Sequence, residues 1–248
     1  MIGYSTILLA VFVGVIPAVV IAWWFFGKGK EKIGINLLFK IFFWGVLTAI
    51  PASVFQIINL ESAGGNLAVS YFQQLFSGLD NYFITHSVIP FLFVALVEEG
   101  SKGVGIALSL WSISRSKKAS KLKINPGALA GVIVGLAFGV TENGVYFANN
   151  FAGQAVTNSL VSIVLLRFIL STSAHIMYSG LFGAFLVDVL IAKTFWRKIL
   201  AFGGLLLPII IHMTFDILVT TSGLGVLSVP LLIVGIVFLV FKVFWRRT

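Results

Sequence analysis

The amino-acid sequence predicts an all-α integral membrane protein, built as a bundle of about seven transmembrane helices. Hydrophobic residues make up 59% of the 248 residues and charged residues only 10%, and the mean hydropathy is +1.07. The apolar residues fall into seven runs, each long enough to cross a hydrocarbon core about 30 Å thick. No linker rich in Pro or Ser divides the chain, so we expect one membrane domain over residues 1–248.

The predicted spans follow one another closely, and one connection is longer than the rest. No Lys or Arg precedes the first span and no small-residue cleavage site follows it, so we expect a retained span rather than a signal peptide. In the longest connection, residues 66–83 have apolar side chains at helical spacing, which predicts a short amphipathic helix on the membrane surface. The predicted spans are 4–26, 37–58, 84–111, 127–149, 159–187, 199–221 and 226–244.

The basic residues predict the orientation of these spans. Fifteen of the seventeen Lys and Arg residues lie in or beside alternate connections and the C-terminal end, and the other connections have none. The positive-inside rule then places the N-terminus outside and the C-terminus in the cytoplasm. Attraction to lipid head groups accounts for the net charge of +9, so we expect the lipid bilayer and not nucleic acid as a partner. The chain has no cysteine, which excludes disulfides and thiolate metal sites.

Four acidic residues and two histidines interrupt the apolar runs: Glu98, Glu99, Glu142, Asp216, His175 and His212. A charged side chain at the centre of a membrane helix costs roughly 2.5–3.5 kcal/mol on the insertion scale. Four ionised, unpaired carboxylates would therefore cost about 10 kcal/mol, comparable to the stability of a whole domain. Such residues usually face the interior of a bundle, so the sequence predicts a polar site within the membrane.

Polar or small residues recur at a spacing of four on four consecutive spans, and residues four apart share a helix face. At a rise of about 1.5 Å per residue, the acids and histidines fall between the middle and the outer half of the membrane. We therefore expect one cavity between the third and sixth spans, opening outward. The recurring residues are Glu98 and Lys102; Gly127, Gly131, Gly135, Gly139 and Asn143; Arg167, Ser171, His175, Ser179 and Gly183; and Pro208, His212, Asp216 and Thr220.

Each of these patterns also has a structural interpretation. Glu98 and Lys102 are four residues apart and would form an ion pair, but one lysine would satisfy only one of the two adjacent glutamates. The glycine face is more typical of close helix packing than of catalysis. Arg167 is expected to be the structural partner of a carboxylate. Two histidines at similar depth beside acids favour a functional pair.

The motifs on these spans resemble those of the PrsW intramembrane proteases. Residues 98–102 resemble the family's EExxK motif, residues 138–143 with Tyr146 resemble FxxxEN, and residues 212–216 match HxxxD. His175, with Arg167 before it and Gly180 and Gly183 after it, resembles the third motif. The related CAAX proteases usually end the second motif in His, where Glu142 stands here, so prenyl-protein processing is not expected. The resemblance covers about residues 84–221, the expected catalytic core.

The resemblance implies cleavage of a membrane-anchored protein, such as a single-span anti-sigma factor, near the outer face of a prokaryotic plasma membrane. Peptide hydrolysis needs an activated water, oxyanion stabilisation and a proton for the leaving amine. We expect Glu98 to be the general base and Glu99 its partner. Glu142, His175 and His212 complete the expected catalytic set. Lys102, Asn143, Arg167 and Asp216 are expected to support it.

Two cofactor schemes fit these residue types. In one, His175, His212 and a carboxylate such as Glu142 hold a catalytic Zn²⁺ with one position open for water. In the other, a carboxylate activates water without a metal and a histidine stabilises the oxyanion. No HExxH motif is present to decide between them.

Two functions from other classes use similar residues. Intramembrane acids and histidines also build proton or cation relays in transporters, but the sequence has no inverted repeat of the motifs. A non-catalytic membrane scaffold would not need the full set of candidate catalytic residues.

Overall fold

The computed structural model describes residues 34–61, 88–116, 125–151, 167–221 and 224–244, and within these ranges the chain is helical with short turns and no strand. A π-helical turn, Phe168–Thr172, leads into α4, and a 3₁₀ turn, Gly225–Leu227, precedes α6. The all-α prediction is therefore confirmed over the described residues. The helices are α1 (Ile35–Glu61), α2 (Ile89–Ser114), α3 (Pro126–Phe151), α4 (Ser173–Ile191), α5 (Phe195–Thr220) and α6 (Ser228–Phe244).

These six helices coincide with the second to seventh predicted spans. The first predicted span, 4–26, and the predicted amphipathic helix, 66–83, lie outside the described residues. Segments of α1, α3, α4 with its π turn, and α5 are long and apolar enough to cross a membrane. Helix α2 is as long as α3 but has three charged residues near its middle, and the apolar segment of α6 is shorter. The total of seven spans and the orientation of the termini stay predictions.

Side-chain caps set where two of the helices begin. The Asn125 Oδ1 accepts hydrogen bonds from the backbone N–H groups of Gly127 and Ala128, at 2.9 and 3.2 Å, and Pro126 occupies the first position of α3. The Thr194 hydroxyl caps α5 in the same way. Only three residues separate α4 from α5, so the two helices run antiparallel and bring His175 and His212 to the same end of the bundle.

Glycines on α3 allow its backbone to approach that of α4. A Cβ atom added at Gly127, Gly131 or Gly135 would collide with a backbone carbonyl oxygen of α4, that of Gly183, Ser179 or His175 respectively. Such small-residue faces favour helix association in membranes. Lipid tails are as apolar as the helices, so close van der Waals packing rather than the hydrophobic effect holds the helices together. The predicted close packing of this glycine face is confirmed, and it brings the C-terminal half of α3 against the start of α4.

The faces that point away from the bundle are apolar. Phe39 on α1, Leu200 on α5 and Val234 on α6 are each exposed over more than 60% of their surface. A water-soluble protein rarely exposes so many large apolar side chains in continuous faces. Lipid contact accounts for this surface, whereas Glu98, Glu99 and Lys102 of α2 are buried inside the bundle.

Candidate active site

A cavity of about 430 Å³ lies at the end of the bundle where α2 and α4 begin and α3 and α5 end. Phe91 near the start of α2, Tyr146 near the end of α3 and Thr220 at the end of α5 line it. This is the end at which the sequence predicted an opening. Six of the nine predicted site residues are in its wall: Glu98, Glu142, Arg167, His175, His212 and Asp216.

Lys102 is the centre of the layer behind this wall. Its side chain is fully buried, and Nζ donates a hydrogen bond to Glu99 Oε1 at 2.6 Å and lies 3.4 Å from Glu98 Oε2. The ammonium also lies over the ring of Phe138, 4.2 Å from its centroid. The predicted pair between Glu98 and Lys102 forms, and the ammonium also donates a hydrogen bond to Glu99, because positions three and four residues away lie on the same helix face.

His175 joins three helices at the base of the cavity. Its Nδ1 lies 2.9 Å from Lys102 Nζ on α2, and its Nε2 lies 2.6 Å from Glu142 Oε2 on α3. The other oxygen of Glu142 accepts a hydrogen bond of 3.1 Å from Arg167 Nη2, as expected for a structural partner of a carboxylate. The guanidinium of Arg167 stacks on Tyr146, 3.8 Å from the ring centroid.

His212 lies among three carboxylates. Its Nδ1 donates a hydrogen bond of 2.9 Å to Glu99 Oε1, and its Nε2 lies 3.4 Å from Asp216 Oδ2 and 3.8 Å from Glu98 Oε2. Because Glu99 Oε1 accepts from both Lys102 and His212, this buried carboxylate fixes the position of both side chains. Glu99 therefore links the layer behind the cavity to its wall.

The polar line on α4 divides between two surroundings. Arg167, Ser171 and His175 line the cavity, whereas Ser179 and Gly183 pack against the glycines of α3. Residues four apart advance by about 40° around a helix, so a line of five residues turns onto a different face by its end. The prediction of one continuous polar face toward the cavity was wrong for Ser179 and Gly183.

Asn143 lies outside the cavity wall. Its side chain is buried, and Nδ2 donates a hydrogen bond of 3.0 Å to Thr172 Oγ1 in the π-helical turn before α4. π-helical turns often occur near functional sites. This bond ties α3 to the turn that places Arg167 and His175, so Asn143 supports the site as a structural contact between helices.

Tyr178 belongs to the site and was not among the predicted residues. Its ring stacks on that of His212, with a centroid distance of 4.6 Å and an interplanar angle of 17°, and it is buried in the cavity wall. The stacking covers a face of the imidazole, while its two ring nitrogens meet carboxylates at the edge of the ring. Tyr178 follows His175 by three residues, so the shared helix face was the available signal.

Glu98, Glu142 and His175 are close enough to share a metal ion, because one ligand atom from each lies within 4.8 Å of the others. This group has Glu98 where the predicted zinc set had His212. The present contacts of the three residues do not fit a metal. Lys102 and Glu142 engage both ring nitrogens of His175, and the Lys102 ammonium lies 3.4 Å from Glu98. A divalent cation would have to displace these contacts and bind close to a positive charge.

Comparison with known proteins agrees with the sequence motifs. The profile of the PrsW family intramembrane metalloproteases matches residues 34–245. The chain is 24% identical to Protease PrsW of Shouchella clausii (strain KSM-K16) over 206 residues, covering 82% of this chain and 80% of that protein. No solved structure matches the chain.

Proposed function

The chain belongs to the PrsW family of intramembrane metalloproteases, and we propose that it hydrolyses a peptide bond of a membrane-anchored protein near the outer face of a prokaryotic plasma membrane. The observation that carries this proposal is the meeting of Glu98, His175 and His212 in the cavity wall, with Lys102 and Glu99 fixed behind them. A carboxylate beside two imidazoles supplies the acid–base groups and hydrogen-bond donors that peptide hydrolysis requires.

Glu98 is the proposed general base. Its Oε2 lies 3.8 Å from His212 Nε2 and 4.0 Å from His175 Nδ1, and it lines the cavity, so a water molecule entering there meets this carboxylate. Glu99 is fully buried and already accepts two hydrogen bonds through Oε1. These contacts support a role for Glu99 as the residue that orients Lys102 and His212 rather than as the base.

The proposed reaction uses groups of the chain for each proton transfer. Glu98 takes a proton from water as the water oxygen bonds to the scissile carbonyl carbon. Glu99 holds the Nδ1–H of His212, and the Nε2 of this ring, when it is also protonated, donates a hydrogen bond to the resulting oxyanion, which stabilises charge that develops only in the transition state. The tetrahedral intermediate then breaks its C–N bond, and the proton held by Glu98 passes to the leaving amine.

The walls of the cavity support a protein segment as substrate. Beside the polar groups, the wall contains apolar side chains from α2, α4 with its π turn, and α5, which would pack against apolar residues next to the scissile bond. The cavity lies at the outer end of the bundle under the predicted orientation, which a single-span protein such as an anti-sigma factor would reach from its outer juxtamembrane segment. The apolar wall residues are Phe91, Val94, Leu170, Phe215 and Val219.

The test is cleavage of a single-span reporter by the purified full chain in detergent, comparing Glu98→Gln with Glu99→Gln. Glu98→Gln keeps the size of the side chain and removes its basicity, so cleavage should be lost while thermal unfolding changes little. Glu99→Gln should also lose cleavage, but it leaves a buried cation without its closest anion. Breaking a buried pair in this way costs about 3–5 kcal/mol, so this variant should unfold at a clearly lower temperature.

Ser101→Ala is the matched control on the same helix, because the Ser101 hydroxyl only donates to the backbone carbonyl of Glu98. It should keep both cleavage and stability. Cleavage retained in both glutamine variants would refute the proposed chemistry. Ion flux across sealed vesicles, together with no cleavage by the unaltered protein, would favour the transporter.

A further inference from the structure

We propose that Lys102 fixes the tautomer of His175, with the ring proton on Nε2 and none on Nδ1. The Lys102 Nζ lies 2.9 Å from His175 Nδ1. An ammonium group has three donors and no acceptor, so Nδ1 must accept this hydrogen bond through its lone pair. A neutral imidazole carries one proton, which then resides on the other nitrogen.

The contact at the opposite side of the ring agrees with this assignment. His175 Nε2 lies 2.6 Å from Glu142 Oε2. An ionised carboxylate only accepts hydrogen bonds, so Nε2 must be the donor. Arg167 donates a hydrogen bond of 3.1 Å to the other oxygen of Glu142, so that oxygen is an acceptor as well. A donor on one side of the ring and an acceptor on the other side therefore specify the same tautomer independently.

His212 has the opposite arrangement at its Nδ1. That nitrogen lies 2.9 Å from Glu99 Oε1, which is an acceptor, so it carries a proton. Lys102 and Glu99 are bonded to each other at 2.6 Å, so one buried ion pair sets the Nδ1 of both histidines. The cation specifies a bare Nδ1 on His175, and the anion specifies a protonated Nδ1 on His212.

This assignment gives His175 a definite role, which rests on the proposed function. With its Nε2 proton donated to Glu142 and its Nδ1 accepting from Lys102, His175 has no lone pair left to act as a base, and it holds Glu142 at the cavity wall. While Nε2 carries this proton, it has no free lone pair with which to bind a metal ion. Lys102 is absent from the described cavity wall, so it acts through His175 as a positioning residue.

The experiment is NMR of the full chain in detergent micelles with ¹⁵N-labelled histidine rings, which distinguishes protonated from bare ring nitrogens. The chain has three histidines, and His86→Asn and His212→Gln assign the signals. His175 should show a bare Nδ1 and a protonated Nε2, and His212 a protonated Nδ1. Lys102→Arg, which is also only a donor, should keep the bare Nδ1 of His175. Lys102→Met should add signals of a second form with a protonated Nδ1, because Glu98 Oε2, 4.0 Å from Nδ1, then competes with Glu142 as the acceptor for the ring proton.

A protonated Nδ1 on His175 in the unaltered protein would overturn the inference, whether or not any variant folds. One equivalent of Zn²⁺ should leave the Nε2 proton of His175 in place, and its loss to the metal would also overturn the inference. The spectra need no substrate. A wrong tautomer with intact cleavage would therefore count only against Lys102, and the expected tautomer without cleavage would count only against the proposed function.

Discussion

Gly135→Ala tests the contact between α3 and α4 that brings Glu142 to His175. The added Cβ would collide with the carbonyl oxygen of His175 and lie 2.8 Å from its carbonyl carbon. Carbon atoms pack best about 3.5–4.0 Å apart, so the helices would have to separate by about 1 Å at this point. The His175–Glu142 hydrogen bond, 2.6 Å long, spans the same helix pair and would exceed hydrogen-bonding distance.

The expected loss of activity is larger than the loss of stability. A displacement of about 1 Å in a catalytic group can cost about 100-fold in rate, so Gly135→Ala should cleave the reporter about 100-fold more slowly. Overpacking costs about 1–3 kcal/mol, and replacing glycine by alanine within a helix returns about 1 kcal/mol. The net change in unfolding free energy should therefore be a destabilisation of at most about 2 kcal/mol.

Gly144→Ala is the matched control, because it lies on the same helix and an added Cβ there has no atom within 4 Å. It should keep full activity and gain up to about 1 kcal/mol in stability. Cleavage of the reporter and unfolding followed by tryptophan fluorescence are measured on both variants. If the two alanine variants behave alike in both assays, the close approach of α3 and α4 is not what positions His175.

Two further predictions concern the orientation and the metal. The chain has no cysteine, so an engineered cysteine at Ser77 should react with an impermeant reagent in intact cells and one at Ser120 should not; the reverse labelling would invert the predicted topology. Exhaustive chelation should leave the rate of reporter cleavage unchanged, because the proposed reaction uses only carboxylates and imidazoles; loss of cleavage that Zn²⁺ restores would establish a metal mechanism.

Contacts within one helix were predictable from the sequence, because helical periodicity fixes them. His212 and Asp216 are four residues apart, and their side chains lie 3.4 Å from each other. For contacts between helices, the sequence predicted only that each buried acid would have a hydrogen-bond donor. Which donor meets which acid depends on the rotation and axial position of each helix in the bundle. The hydrogen bonds from Lys102 to His175 and from His175 to Glu142 are of this second type.

The sequence predicted that α3 packs closely against another helix, but not which one. The glycines of α3 predicted a close neighbour without identifying it, because a glycine face accepts any helix that offers small residues. Ser179 and Gly183 of α4 contact that face. Because they are small or polar and follow His175 at a spacing of four, the sequence suggested that they continue the row of cavity residues. The π-helical turn before α4 has no sequence signature comparable to a proline or a glycine pair.

The free-energy cost of placing four acids in a membrane explains why each of them has charged or hydrogen-bonding partners. The two deepest carboxylates share the ammonium of Lys102, whereas Glu142 pairs with Arg167 and His175, and Asp216 lies beside His212. These contacts offset desolvation and also hold the reacting groups in fixed positions, which is the condition for electrostatic catalysis. The two effects coincide at Glu99, whose two hydrogen bonds are to Lys102 and His212. At Glu98 the two effects are separate, because this carboxylate lines the cavity and is itself the proposed reacting group. The different stabilities expected of Glu98→Gln and Glu99→Gln follow from this division of the site into a wall and a supporting layer.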